Sequence, residues 1–459
     1  MRRTSTIGRT IKRGEPDFEA AVLGTSFNAR EPGQRPAVIV QATSADDVVA
    51  AVKHAKRDGL KISICSGGHS WTQNHIRDGG MLIDTSRLNG IDIDAERMTA
   101  KVGPGCLSGE LNDALARRRL FFPVAHAYTV GLGGFLLQGG FGWNSRVMGL
   151  GCENVIGLDA VLADGTLIHA SEKENADLFW AARGAGPGFF AAIVRFHLKV
   201  HRRPRFVGLK VQVFRMQHLE EVLAWADRVG PSVSPSVEFQ MVLNGKAMMI
   251  GAPGIEVIAP AITDSWKDAR DAVRFLSENP VRRKASFASP LMPLSLKFMM
   301  KTGEKTLFLP DTRWFADNMW IEGTIDPLLP AMRTIADTLP PPPSHALWLN
   351  WNPSTRRKDI AFSVEGRTYL ALYGGLRKES DVAKHGDWAT RNMKALEAHS
   401  RGIQLADENL SRRPARFLSD ENLARMARVR ASYDPDNRFH TWWSTPTQAN
   451  GGVRENAAA

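Results

Sequence analysis

The chain has 459 residues, 43% hydrophobic and 23% charged, which suits a globular protein of two or three domains. No run reaches the ~18 apolar residues of a membrane-spanning helix, and the basic start MRRTSTIGRTIKRGEPDF lacks the apolar stretch of a signal peptide, so a cytoplasmic location is expected. A net charge of +11 admits an anionic partner, while three cysteines without a CxxC pair argue against a disulfide framework or a zinc site.

In chain order, PAVIVQAT at 36–43 predicts a strand, Ser44 caps a helix ending near Gly59, and Lys61 to Cys65 returns as a strand. This strand–helix–strand unit delivers CSGGHSW, Cys65 to Trp71, to the end of its second strand, where α/β units bind ligands. Read alone, His69 is open as metal ligand, catalytic base, cofactor anchor or turn residue. Short strands follow at 81–84 and 99–102, and Ser108 is expected to cap a helix running to about Arg118. TVGLGGFLLQGGFGW, 129–143, has six glycines in fifteen residues, too many for an ordinary packed helix, and predicts backbone pressed against something flat or anionic. Residues 155–170 read as a hairpin turning at Asp164-Gly165, 174–182 as a helix and 193–200 as a strand.

HRRPR at 201–205 marks a boundary. Beyond it, strands are expected at 206–214, 236–243, 347–352 and 368–373, with helices at 216–229, 261–277 and 380–398 and a stiff connector at Pro340 to Pro343. The tail from Ala449 is expected to be disordered. The basic runs Arg117-Arg118-Arg119, HRRPR and Arg356-Arg357-Lys358 read as solvated surface. A phosphate-bearing small ligand explains the charge as well as nucleic acid does.

No single motif decides the function. GLGGFL at 131–136 is not a dinucleotide fingerprint, and no G-K-[ST] follows the glycines. Together, however, SGGHSW at 66–71, DGGMLIDTSRLNGIDID at 78–94, KVGPG at 101–105, the glycine-rich run extended to 157, DLFWAARGAGPGFF at 177–190 and YDPDNRFH at 433–440 resemble the berberine-bridge-enzyme-like family. This is a branch of the vanillyl-alcohol-oxidase type of FAD-linked oxidoreductases. The resemblance implies an α+β fold with a two-lobed FAD-binding domain, residues 1–205 with 411–459, and a substrate domain, 206–410, whose antiparallel sheet covered by helices roofs the flavin.

The resemblance further implies that His69 is joined to the flavin 8α carbon, with Ser66, Gly67, Gly68 and Ser70 cradling the diphosphate. Thr129, Val130, Gly133, Gly134, Gly139, Gly140 and Gly142 would follow the cofactor, Asn154 and Ile156 would meet its adenosine half, and Asn437 would approach from the other side. Relatives with a second, cysteinyl tether carry it where this chain has Ala127, so a single linkage is expected. Val130 occupies the position that controls oxygen access. The implied activity is an oxidase taking hydride from an alcohol, sugar-like or secondary-metabolite substrate and reducing O₂ to hydrogen peroxide. A dehydrogenase with another acceptor is the alternative within the fold, and a non-enzymatic polyanion binder the alternative outside it.

A proton acceptor must accompany hydride removal. Alternation in RTYLALYGG puts Tyr369 and Tyr373 on one face, and Tyr128 and His126 precede the glycine-rich loop; all four are candidates. Asp407 and Glu408, near the return to the first domain, are the carboxylate candidates. Trp442 and Trp443 stand where the family pattern differs and are candidates for a substrate or ring-edge contact.

Overall fold

The structure is a computed structural model that describes residues 8–354 and 357–443. Arg356 and the tail from Ala449 lie outside the described residues. Three sheets organise the chain. The first contains β1 (Arg9–Lys12), β2 (Val38–Gln41), β3 (Ile62–Cys65) and β4 (Met81–Asp84), in the order β1-β2-β4-β3, with β2, β4 and β3 parallel. The helix Ala45–Arg57 makes the crossover. Ser44 and Asp47 exchange hydrogen bonds as a capping box, and Val48, Ala51, Val52 and Ala55 form the buried stripe. The loop with His69 leaves the carboxyl end of β3.

The second sheet draws on β5 (Ile91–Asp94), β6 (Thr99–Val102), β8 (Val155–Val161), β9 (Leu167–Ala170) and β10 (Ala192–Lys199), ordered β5-β6-β10-β8-β9 and antiparallel throughout. β7 (Leu120–Phe121) pairs with β11 (His201–Arg202), so the basic HRRPR run begins as part of this half. The glycine-rich run contains a short helix after all, Leu132–Leu137, against the expectation from its composition. Only two of its six residues are glycine, and Leu132, Phe135 and Leu136 bury a conventional apolar face. Ser108 is the first residue of the helix Ser108–Ala116, where Leu107 occupies the cap position and its N–H is accepted by Glu110 at 3.1 Å.

The third sheet has nine strands among the described residues: β12 (Phe206–Arg215), β13 (Gln240–Asn244), β14 (Gly254–Thr263), β15 (Phe287–Ala288), β16 (Met292–Pro293), β17 (Arg313–Ile321), β18 (His345–Asn350), β19 (Thr368–Leu376) and β20 (Ser400–Gly402). Its order is β15-β12-β14-β13-β18-β19-β17-β20, with β16 beside β12. The expected helix at 261–277 starts later, as Trp266–Ala272 and Arg274–Ser277, because β14 runs on to Thr263 and Ser265 caps the helix through the N–H of Asp268 at 3.1 Å. β17 and the helix Leu296–Leu307 were not anticipated from the sequence.

Alternation divides this sheet cleanly. Met241, Leu243, Val257, Trp348, Leu370 and Leu372 point into one core, covered by the helices Leu219–Val229, Leu329–Asp337 and Trp388–Ala395. Leu349, Tyr369, Ala371 and Tyr373 point the other way, toward Trp71 and the first two lobes. The chain then returns: Ile62 bridges in parallel to Phe439, and Arg413 forms a buried ion pair with Asp317 of β17 at 2.7 Å.

Candidate functional site

The inner face of the third sheet, the His69 loop and the glycine-rich run enclose one cavity of about 490 Å³. Its floor depends on two glycine segments crossing backbone to backbone. A Cβ on Gly67 would lie 2.4 Å from the nitrogen of Gly131, and one on Gly133 2.2 Å from Oγ of Ser66. Gly68 adopts φ +67°, and a side chain there would strike the Thr25 carbonyl at 2.3 Å. Gly134 has open space where its Cβ would be.

The ligand character of this space is readable from its walls. Trp143 and His440 line it, and each carries a buried ring nitrogen, Nε1 and Nε2 respectively, without a hydrogen-bond partner. Arg77 also lines it, with its guanidinium 3.7 Å from the Trp443 ring and burial lowering its pKa to about 10. A narrow, side-chain-free floor, two unsatisfied polar atoms and one buried cation fit a long, flat, anionic group such as FAD.

His69 is half-buried in the wall. Its ring stacks on Phe27 at 4.6 Å, and Nε2 is 2.9 Å from Oγ1 of Thr129. Removal from bulk water lowers its pKa to about 4, so the imidazole is neutral at physiological pH. Thr129 in turn donates to Glu304 of the helix Leu296–Leu307, which closes one side of the cavity through Phe298, Met299 and Thr302.

At the sheet end of the cavity the structure gathers Tyr369, Tyr373 and Asp407. Oδ2 of Asp407 accepts the hydroxyls of Tyr369 and of Tyr373, the latter at 2.6 Å, and Oδ1 accepts Nε1 of Trp71 at 2.6 Å. Burial raises the Asp407 pKa above the ordinary carboxylate value, with the three donors working against that rise. Burial and the neighbouring carboxylate hold both phenols well above their ordinary pKa, so they remain protonated donors. His126 also reaches the cavity, paired with Glu238 at 2.8 Å.

Of the candidate cofactor contacts, Ser66, Gly67, Gly68, His69, Ser70, Val130, Gly133, Gly134 and Gly140 line the cavity. The others have different surroundings. Thr129 sits behind His69. Gly139 and Gly142 pack against Phe362 and the Val124 carbonyl. Asn154 donates its amide to the Met148 and Leu150 carbonyls, and Ile156 is exposed on β8. Asn437 holds a left-handed turn at φ +50° and accepts from Arg430; from the same motif Phe439 and His440 reach the cavity. Tyr128 is not at the cavity wall, since its ring lies over Gly109 and its hydroxyl donates to Asp113 at 3.0 Å.

Glu408 is consumed by structure, accepting from Asn74 at 2.8 Å and from the Leu410 N–H at 2.7 Å. Ala127 lines the cavity, while Cys152 is buried in an apolar cluster beside it. Trp442 packs on Gly188 and donates to the Ala185 carbonyl, and neither it nor Trp443 lines the cavity. Apart from this site, Asp159, His169 and His197 form a hydrogen-bonded group on the second sheet, which satisfies both imidazoles.

Comparison with known proteins bears on the same segments. Residues 36–171 match the model of an FAD binding domain. The chain is 32% identical over 422 residues to an FAD-linked oxidoreductase, nodO, of Hypoxylon pulicicidum, covering 90% of this chain and 92% of that one. Its fold is similar to that of 6-hydroxy-D-nicotine oxidase from Arthrobacter nicotinovorans, with a TM-score of 0.82, 23% identity and coverage of 96% and 98%. It is also similar to glucooligosaccharide oxidase from Acremonium strictum, whose FAD is 6-S-cysteinyl and 8α-N1-histidyl, with a TM-score of 0.80, 20% identity and coverage of 95% and 97%.

Proposed function

The chain belongs to the FAD-linked oxidoreductases, and on that premise we propose that it is a berberine-bridge-enzyme-like oxidase whose single covalent flavin is carried by His69. The observation that carries the reading is the Tyr369–Tyr373–Asp407 group facing the same cavity as His69. FAD, when bound, supplies the two-electron acceptor that takes hydride from an alcohol, sugar-like or secondary-metabolite carbon and reduces O₂ to hydrogen peroxide.

The protein residues handle position and protons. One phenol bridges the substrate hydroxyl and Asp407, taking the substrate proton as it passes its own to Oδ2. The raised pKa of Asp407 suits it as the acceptor, and the protonated state of both phenols suits them as the bridge. Trp71 holds the second carboxylate oxygen in place. A neutral His69 whose Nε2 contacts Thr129 leaves Nδ1 for attachment to the flavin, and Ala127 offers no thiol for a second bond. The small Val130 at the cavity wall supports access of oxygen.

The test is a panel of alcohols and sugars added anaerobically to purified protein, followed by admission of air. Bleaching of the flavin and then stoichiometric hydrogen peroxide are expected. Bleaching without reoxidation by oxygen would assign a dehydrogenase, and protein isolated without flavin from flavin-replete cells would refute the reading.

A further inference from the structure

The inner face of the third sheet holds a second carboxylate that the proton path does not use. Glu256 lies on β14, 3% exposed, and lines the same cavity as Asp407. Strand register places it exactly enough to measure. Glu256 pairs with Val242 of β13, Val242 with Leu347 of β18, and Leu347 with Ala371 of β19, the residue between Tyr369 and Tyr373. Three interstrand steps of about 4.8 Å separate the two ends of this row by about 14 Å. The row between them is apolar, and Val242 and Leu347 both face the cavity.

Glu256 is unusual in what it lacks. Among the described residues it forms no ion pair, and Oε1 accepts one bond, from the Met248 N–H at 2.7 Å. That bond steadies the turn between β13 and β14, a task a glutamine carbonyl would perform equally well. Ionised, Glu256 has no cation within the protein, and burial accordingly raises its pKa, because a buried carboxylate without a cation is costly to keep. A ligand cation would remove that cost. The site is also reachable, because Met248 is 44% exposed and lines the cavity beside Glu256.

We propose that Glu256 is the far anchor of the substrate site and takes the protonated amine of an elongated, otherwise apolar substrate, whose oxidised carbinol end lies at Tyr369 and Tyr373. The inference rests on the reading above that those tyrosines mark the reacting end. Val242 and Leu347 cover the apolar body, and the roughly 14 Å row sets the spacing between the two functional groups.

The probes are α,ω-amino alcohols of increasing length with the matched α,ω-diols. Their binding to the flavin-loaded full chain, its flavin first reduced with dithionite so that no hydride can be taken, is measured by anaerobic titration calorimetry. Wild type is expected to favour an amino alcohol of spanning length over its diol by about tenfold or more, as a charge-assisted hydrogen bond allows. Glu256→Gln keeps the turn contact and should abolish that preference, leaving diol affinity within about twofold. Val242→Phe, which narrows the row, should weaken long amino alcohols and spare short ones. No measurable amine binding, equal affinity for amine and diol in wild type, or a preference surviving Glu256→Gln would overturn the assignment. Because binding is read without turnover, a protein that shows the preference yet reduces no oxygen upholds this inference and fails the oxidase reading alone.

Discussion

Replacing Tyr373 by phenylalanine removes one of three donors that hold Asp407. In the wild type, Tyr373 donates to Oδ2 at 2.6 Å beside Tyr369, and Trp71 holds Oδ1 at 2.6 Å. A hydrogen bond to a charged acceptor contributes about 1.5–3 kcal/mol, so losing one lowers the ionised fraction of Asp407 about 10- to 100-fold on the acid side of its titration. The sign follows from the direction of the shift. Burial has already raised the Asp407 pKa, and the proton acceptor must be ionised to work. Activity is therefore present above that pKa and lost as pH falls through it, and removing a stabilising donor moves the loss to higher pH. The assay is the rate of anaerobic flavin bleaching by a saturating substrate across pH, in wild type and Tyr373→Phe. A fall of about 10- to 100-fold on the acid limb, with partial recovery at higher pH, is expected. An acid limb that stays in place or moves to lower pH would refute the claim that Asp407 accepts the proton.

Other substitutions test separate parts of the structure. His69→Ala should give folded protein whose flavin is released into the supernatant on acid precipitation; flavin retained in the pellet would place the linkage elsewhere. Gly131→Ala puts a methyl 2.6 Å from Cα of Gly67, so backbone must move, and a loss of at least about 1–3 kcal/mol with weakened flavin retention is expected from thermal unfolding and absorbance. Arg413→Ala strands Asp317, 1% exposed, without its cation; denaturant unfolding should show a loss of about 3–5 kcal/mol.

The first half of the chain was legible where local rules are strong. Ser44 with Asp47 announced its helix, and β4 and β6 appeared at the expected bounds, 81–84 and 99–102. β14 was obscured by Pro260, which reads as a break, and β17 by burial that runs unbroken from Ala316 to Ile321 and takes in Asp317 and Asn318, which leaves no apolar–polar alternation to detect. Tyr369 and Tyr373 could be paired by strand periodicity alone. Asp407 could not be singled out as their partner, because it lies 34 to 38 residues from them and 336 from Trp71, and only sheet register and the returning chain bring these together. Asn154 and Ile156 show a different limit. Their motif was recognised, but a motif does not say which way a side chain faces, and here one caps backbone carbonyls while the other meets solvent.

The loop from Ser66 to Trp71 reaches two places at once: His69 touches Thr129, and two positions later Trp71 grips Asp407. One strand end thus sets the spacing between the imidazole and the carboxylate, as a jig fixes two tools. Inserting or deleting a single residue between His69 and Trp71 would release at least one of them, whereas substitutions that preserve length leave the gauge intact. The segment is constrained by its count of residues as much as by their identity.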